Sequence, residues 1–190
     1  MKQILLALFL FSASHLLTAQ EGGMRVFAGM SSMTNQDIIA NPEGFAHSGY
    51  HIGADGRLMS GTMSFVVGGK YTVLSRSPVE SFKLSGHNGK LSTISARGGL
   101  EFSLYNITNI IRIRSKILAS IDMVSSESGQ SDLPQDYLLN DGWFGMLTGL
   151  GVDVGPLTLD FEFEYGIVKG YNQKDGSQFN GYSLALGFFF

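Results

Sequence analysis

The sequence predicts an all-β protein, an eight-stranded antiparallel up-and-down transmembrane β-barrel, and three observations carry that expectation. Apolar and polar residues alternate with period two in eight separate segments. The connections between these segments run long, short, long, short, long, short, long, the asymmetry of barrels with tight turns at one end and longer loops at the other. The chain finishes on QFNGYSLALGFFF (178–190), where Tyr182, Leu184, Leu186, Phe188 and Phe190 share one strand face and Gly181, Ser183, Ala185 and Gly187 share the other. A terminal strand this apolar and aromatic, ending on Phe, suits the closing strand of a barrel in lipid better than a free edge in water.

The first strand sets Met24, Val26, Ala28 and Met30 against Arg25, Phe27, Gly29 and Ser31. After a polar stretch (32–46), Tyr50, Ile52 and Ala54 alternate with His51, Gly53, Asp55 and Arg57. A short turn (59–62) leads to Met63, Phe65, Val67, Tyr71 and Val73 against Ser64, Val66, Gly68, Lys70 and Thr72. A second polar loop (75–90) precedes a fourth strand. There Ile94, Ala96, Leu100, Phe102 and Leu104 oppose Thr93, Ser95, Arg97, Gly99, Glu101 and Ser103. The NITN turn (106–109) follows.

In the fifth strand Ile111, Ile113, Ile117, Ala119, Ile121 and Met123 face away from Arg112, Arg114, Lys116, Leu118, Ser120 and Asp122. The longest polar loop (125–141) separates it from the sixth, where Phe144, Met146, Leu150, Val152 and Val154 oppose Gly145, Gly149, Gly151 and Asp153. A Gly155-Pro156 turn then opens the most regular strand of all. In it Leu157, Leu159, Phe161, Phe163, Tyr165 and Ile167 alternate with Thr158, Asp160, Glu162, Glu164 and Gly166. A polar loop (169–177) leads to the eighth.

Composition agrees with a chain of many strands. There are 25 Gly and 4 Pro, aromatics make up 12%, and charged residues only 15%, against about 25% in soluble domains. Residues 1–19 read as a secretory signal peptide, with Lys2 before an apolar run (4–11) and small residues near Ala19. That run is too short for a membrane helix, and no later segment has the length of one. Cleavage after Ala19 leaves one domain, 20–190, and moves the formal charge from −3 to −4 by removing Lys2. Such a mild charge without a basic block argues against nucleic acid as a partner. With no Cys in the chain, neither a lipid anchor on Cys nor a disulfide is expected.

Alternation alone is compatible with a soluble barrel that hides its apolar face, and side-chain size separates the two. The apolar faces carry more Phe, Tyr, Leu, Ile and Met than an eight-stranded interior holds, whereas the polar faces are rich in Gly and Ser. The apolar face is therefore expected outward, against outer-membrane lipid, with Tyr50, Tyr71, Tyr105, Trp143, Tyr165, Tyr182 and Phe188 near strand ends as interfacial girdles. The lumen then receives Arg25, Arg57, Lys70, Arg97, Arg112, Arg114 and Lys116 together with Asp55, Glu101, Asp122, Asp153, Asp160, Glu162 and Glu164. Seven cations balance seven anions, as buried charge requires. Across the 106–109 turn, Glu101 is expected within reach of Arg112 or Arg114, and Asp153 near cations from elsewhere on the wall. The result is a plugged lumen rather than an open pore.

The Ala19-Gln20 junction, GLGVDVGPLTLDFEFEYG (149–166) and GYSLALGFFF (181–190) resemble the outer-membrane β-barrel families of the Bacteroidota described as PorT-like. In size and strand count the chain is also similar to the small OmpA and OmpX type barrels. The resemblance implies a cell outer membrane location and insertion by the barrel assembly machinery, with Tyr182, Leu184, Leu186, Phe188 and Phe190 as the C-terminal insertion signal. It transfers no catalytic residue. A secretion-system accessory role working through envelope protein partners is one implied alternative, and a soluble periplasmic lipocalin-like ligand-binding barrel is the rival on fold.

Chemistry-bearing motifs are sparse. His47 and His51 lie four apart on a strand, which sets them roughly 14 Å apart rather than around one metal, and His87 sits in a polar loop. The carboxylates of Asp160, Glu162 and Glu164 read as counter-ions rather than acid/base machinery. His47, Ser48 and Asp37 supply the residue types of a lipid A palmitoyltransferase without its motif. No catalytic, cofactor or metal site is assigned, and the expected role is non-enzymatic, with the outer loops (32–46 and 125–141) as the binding surface.

Overall fold

The computed structural model describes residues 22–35, 46–60, 62–76, 90–107, 110–127, 141–167 and 178–190. The proposed signal peptide, Asp37, His87 and most of the long connections lie outside them. Eight strands build a closed barrel: β1 (Gly22–Asn35), β2 (Ala46–Ser60), β3 (Met63–Arg76), β4 (Lys90–Ile107), β5 (Ile111–Glu127), β6 (Gly142–Val154), β7 (Leu157–Gly166) and β8 (Phe179–Phe189). Each pairs antiparallel with its neighbour in sequence, and β8 closes onto β1 through register pairs such as Met30 with Leu184 and Val26 with Phe188. Phe190, just past β8, exchanges two backbone hydrogen bonds with Met24, each 2.9 Å. The last residue of the sequence thus helps to seal the seam.

The strands run further than their alternation predicts. Residues 32–35, 75–76, 90 and 125–127, expected in loops, and 106–107, expected in a turn, all join the ladders. Backbone pairing explains the difference, because a neighbouring edge satisfies N–H and C=O groups whatever the side chains are. Pairs such as Met33 with His47 and Ser75 with Lys90 extend the sheet beyond the apolar pattern. Register shifts at Ser92/Thr93 and Ser103/Tyr105 between β4 and β5 add local irregularity. The second leaves Leu104 and Tyr105 both exposed.

At the turn end the short connections are tied to the next part of the wall. The Ser103 amide donates to the Thr62 carbonyl at 2.8 Å, that of Gly155 to Ile110 at 2.9 Å, and that of Phe189 to Pro156 at 2.7 Å. Gly155 has φ of 58°, a left-handed conformation that glycine adopts without a Cβ penalty.

Side chains settle the orientation of the wall. Met30 is 72% exposed and Leu186 68%, whereas Arg114 is 0% exposed. The apolar face is on the outside and the charged face inside, the reverse of a soluble barrel, which removes the lipocalin-like alternative. Such a continuous apolar exterior belongs against lipid. Tyr50, Tyr165 and Tyr182 are exposed towards the loop end, and Tyr105 and Phe190 towards the turn end. Trp143 departs from the expected girdle. It points into the lumen, 4% exposed, because β6 turns its odd-numbered positions inward.

Candidate functional site

The inner wall is glycine-rich because the barrel is narrow. A Cβ on Gly151 would lie 2.5 Å from the Arg114 Cζ, and one on Gly53 would lie 2.3 Å from Phe27 Cζ. Large side chains from neighbouring strands lie over these bare positions, which lets long cations cross the lumen.

Two closed circuits of opposite charge result. Asp160, Arg25, Asp55, Arg97, Glu162 and Lys116 form one, each in contact with the next and Lys116 returning to Asp160 at 2.7 Å. Arg97 grips Asp55 with two donors, Nε at 2.9 Å and Nη2 at 2.6 Å, and reaches Glu162 with Nη1 at 3.0 Å. Glu101, Arg57, Asp153 and Arg114 form the second circuit. Arg114 joins the two, its Nε, Nη1 and Nη2 donating to Asp153, Glu101 and Asp160 at 2.8, 2.7 and 2.7 Å. The planar guanidinium offers donors along three edges, which an ammonium cannot do. Arg112 adds a further contact to Asp153 at 2.7 Å.

All of these residues are buried on the lumen side of the wall. Glu101 takes Arg114 and Arg57 rather than Arg112, which turns to Asp153. Lys70 reaches Glu164 at 3.5 Å, a pairing across the barrel, since β3 and β7 lie four strands apart. Asp122 is the correction. Its Oδ1 accepts a hydrogen bond from Ser95, and its carboxyl shares a hydrogen bond with the Glu164 carboxyl instead of pairing with a cation among the described residues. Counting charges, the inner lattice holds six cations and five anions, and the outer trio of Lys70, Asp122 and Glu164 holds one cation and two anions. The lumen balances by formal charge, and the two carboxyls at its loop end, Asp122 and Glu164, are joined by a hydrogen bond.

Alternation misses the apolar part of the plug. Phe27 lies inside the first circuit, with the Arg97 and Arg25 guanidinium carbons 4.5 and 5.0 Å from its centroid, and Phe189 carries Arg57 at 4.5 Å. Each is a cation–π contact in a water-poor site. Val66, Leu118 and Leu147 cluster on the inner wall, with Gly99 leaving the space Leu118 occupies. The available signal was parity, because Phe27, Val66, Leu118 and Leu147 are apolar residues at polar-face positions. His51, also inward, has its Nδ1 2.8 Å from the Ser31 Oγ. Ser48, on the same strand, is exposed. Among the described residues no group of three or more His, Asp or Glu is arranged to hold a metal.

In the C-terminal set Phe188 is half-buried. Tyr182, Leu184, Leu186 and Phe190 are exposed on the outer face, and Tyr182 packs on Phe163 at 5.0 Å and Phe161 at 6.4 Å between ring centroids.

No protein-family model and no curated protein matches the chain. Among solved structures it is similar to Neisserial surface protein A, with a TM-score of 0.55 and 15% identity over 88% of this chain and 97% of that one. It also matches Ail, the attachment invasion locus protein of Yersinia pestis, solved with the heparin analogue sucrose octasulfate, at a TM-score of 0.46 and 14% identity, covering 90% of this chain and 99% of that one. The first likeness, with the outward apolar belt and the closed ladder, defines the class as a small eight-stranded transmembrane β-barrel.

Proposed function

We propose that this chain is a non-enzymatic integral protein of the outer membrane, closed to solutes, that works through its loop end in the cell envelope. One observation carries the reading: the lumen is filled by a connected lattice of buried ion pairs and aromatic rings inside an apolar outer wall. Residues 1–19 would direct export and be removed, and residues 20–190 would be inserted by the barrel assembly machinery with the terminal strand as its signal. Partners would then meet the outer loops (32–46 and 125–141), because binding surfaces sit on connections held by a rigid scaffold.

Reconstitution into planar bilayers tests the closed lumen, with the expected result of no steady conductance. A large ohmic pore would overturn it. Fractionation with a heat-modifiability gel tests location, since a membrane barrel stays folded in SDS until boiled. If deletion of the gene blocks protein secretion while the barrel is closed, the accessory role implied by the resemblance replaces a general envelope role.

A further inference from the structure

At the loop end of the lumen two acids meet over a bare strand. Asp122 of β5 and Glu164 of β7 are joined by a hydrogen bond, although β6 runs between their strands. Gly145 of β6 makes that reach possible. It pairs in register with Ser120 of β5 and Gly166 of β7, and a Cβ there would lie 2.8 Å from Ser120 Oγ and 3.1 Å from Glu164 Oε1. Asp122 is 3% exposed and the Glu164 side chain 14%. Around the pair, β3 supplies Lys70, with its Nζ 3.5 Å from Glu164 Oε2. On β7, Glu162 lies one inward position from Glu164 and is held by Arg97 and Lys116. On β2, His51 lies within electrostatic reach of Lys70 and Glu162. Ser95 of β4 donates to Asp122 Oδ1, and Ser120 of β5 donates to Glu164 Oε1 at 2.8 Å. The facing inward positions of β6 and β8, Trp143, Gly145, Gly181 and Ser183, carry no titratable group.

Carboxylates only accept hydrogen bonds, so two carboxyls bonded to each other hold one proton between them. Its place follows from the other contacts. Glu164 already receives a hydroxyl and an ammonium and is the anion of the pair, whereas Asp122 receives only the Ser95 hydroxyl. With the proton on Asp122, the outer trio carries one cation and one anion. Without it, two buried carboxylates in contact would share one ammonium and repel. The bond also joins two loop stems, since β5 ends shortly past Asp122, at Glu127, and β7 shortly past Glu164, at Gly166. We propose that Asp122 and Glu164 form a proton-held clasp between the stems of the β5–β6 and β7–β8 connections, so that the loop end of the barrel is tight at neutral pH and loosens as pH rises. The clasp sits beneath one of the outer loops to which binding is ascribed above, and it needs from that reading only a folded barrel, which the gel shift reports separately.

Infrared spectroscopy of the folded protein in detergent at about pH 7 reads the proton directly, because solvated Asp and Glu are ionised there and only a sheltered acid keeps the C=O stretch of a protonated carboxyl. The wild type should show that band, shifted in heavy water, and both Asp122→Asn and Glu164→Gln should lose it. Linkage supplies the second readout. The folded barrel holds a proton that a solvated Asp122 in the unfolded chain releases, so stability falls as pH rises. Urea titrations followed by Trp143, the only tryptophan in the sequence and the register partner of Asp122, should show the folding constant dropping by up to about tenfold per pH unit between about pH 6 and 9. Asp122→Asn keeps a donor towards Glu164 with nothing to titrate and should lose this dependence, while His51→Gln should retain it. Heat-modifiable wild-type protein without the infrared band overturns the proposal, as does a band that survives in Asp122→Asn. So does an Asp122→Asn barrel that follows pH like wild type, or a dependence that disappears in His51→Gln. Should Asp122→Asn not fold, the wild-type band and its loss or survival in Glu164→Gln still decide.

Discussion

Replacing Arg114 with Met removes the junction between the two charge circuits while leaving comparable apolar bulk. Three carboxylates then lose donors at 2.7 to 2.8 Å. None is left without a cation: Glu101 keeps Arg57, Asp153 keeps Arg57 and Arg112, and Asp160 keeps Arg25 and Lys116. Breaking a buried pair costs about 3–5 kcal/mol when the partner is stranded, and here the surviving contacts hold the cost near the bottom of that range, about 3 kcal/mol. With a urea slope of about 2 kcal/mol/M, the midpoint for unfolding from lipid vesicles should fall by about 1.5 M, followed by Trp143 fluorescence. The drop should be similar at low and high salt, because ions do not screen a side chain with no exposed surface. Arg114→Lys should lose most of the same stability, since one ammonium cannot serve three carboxylates in different directions. Lys70→Met breaks a longer but buried pair and takes from Glu164 the one cation it contacts among the described residues, so it should cost about 3 kcal/mol as well. An Arg114→Met variant as stable as the wild type would refute the view that the lattice holds the barrel together.

The lipid belt makes its own prediction. Ile117→Arg, mid-strand on the outer face, should cost about 2–4 kcal/mol in vesicles, whereas Tyr105→Arg near the turn end should cost about 0–1 kcal/mol; equal costs in urea titrations would contradict the assigned face. Two glycines test the inner packing. Gly151→Ala pushes a methyl against the Arg114 guanidinium and should destabilise by about 1–3 kcal/mol, while Gly98→Ala, whose new methyl would meet nothing nearer than 3.6 Å, should be neutral or slightly stabilising by the same measurement. Deleting Phe190 removes the two backbone bonds to Met24 as well as an exposed aromatic, and should lower the heat-modifiable fraction recovered from outer membranes. Unchanged recovery would separate seam closure from insertion.

Period-two alternation made the wall legible. Leu157 to Ile167 shows why: every odd position is apolar and every even one small or acidic, and the structure places those sets outside and inside. Strand ends were less legible, since pairing such as Met33 with His47 answers to backbone hydrogen bonds and not to side-chain type. Trp143 was misassigned for a related reason. Aromatics near strand ends commonly face the interface, but parity on β6 puts this one inside, where Gly166 clears space for it to meet Phe179.

Sequence by itself determined strand number, the two faces and the balance of charge, because each follows from the composition of neighbouring positions along one strand. Only the tertiary structure decided the partners. Arg25 and Asp160 are 135 residues apart, and they meet because the closed ladder brings β1 and β7 together around a narrow lumen. Closure also brings Asp122 of β5 into a hydrogen bond with Glu164 of β7. Balanced charge totals set no pairing, since each cation reaches only the anions that barrel curvature and stagger bring within hydrogen-bond distance.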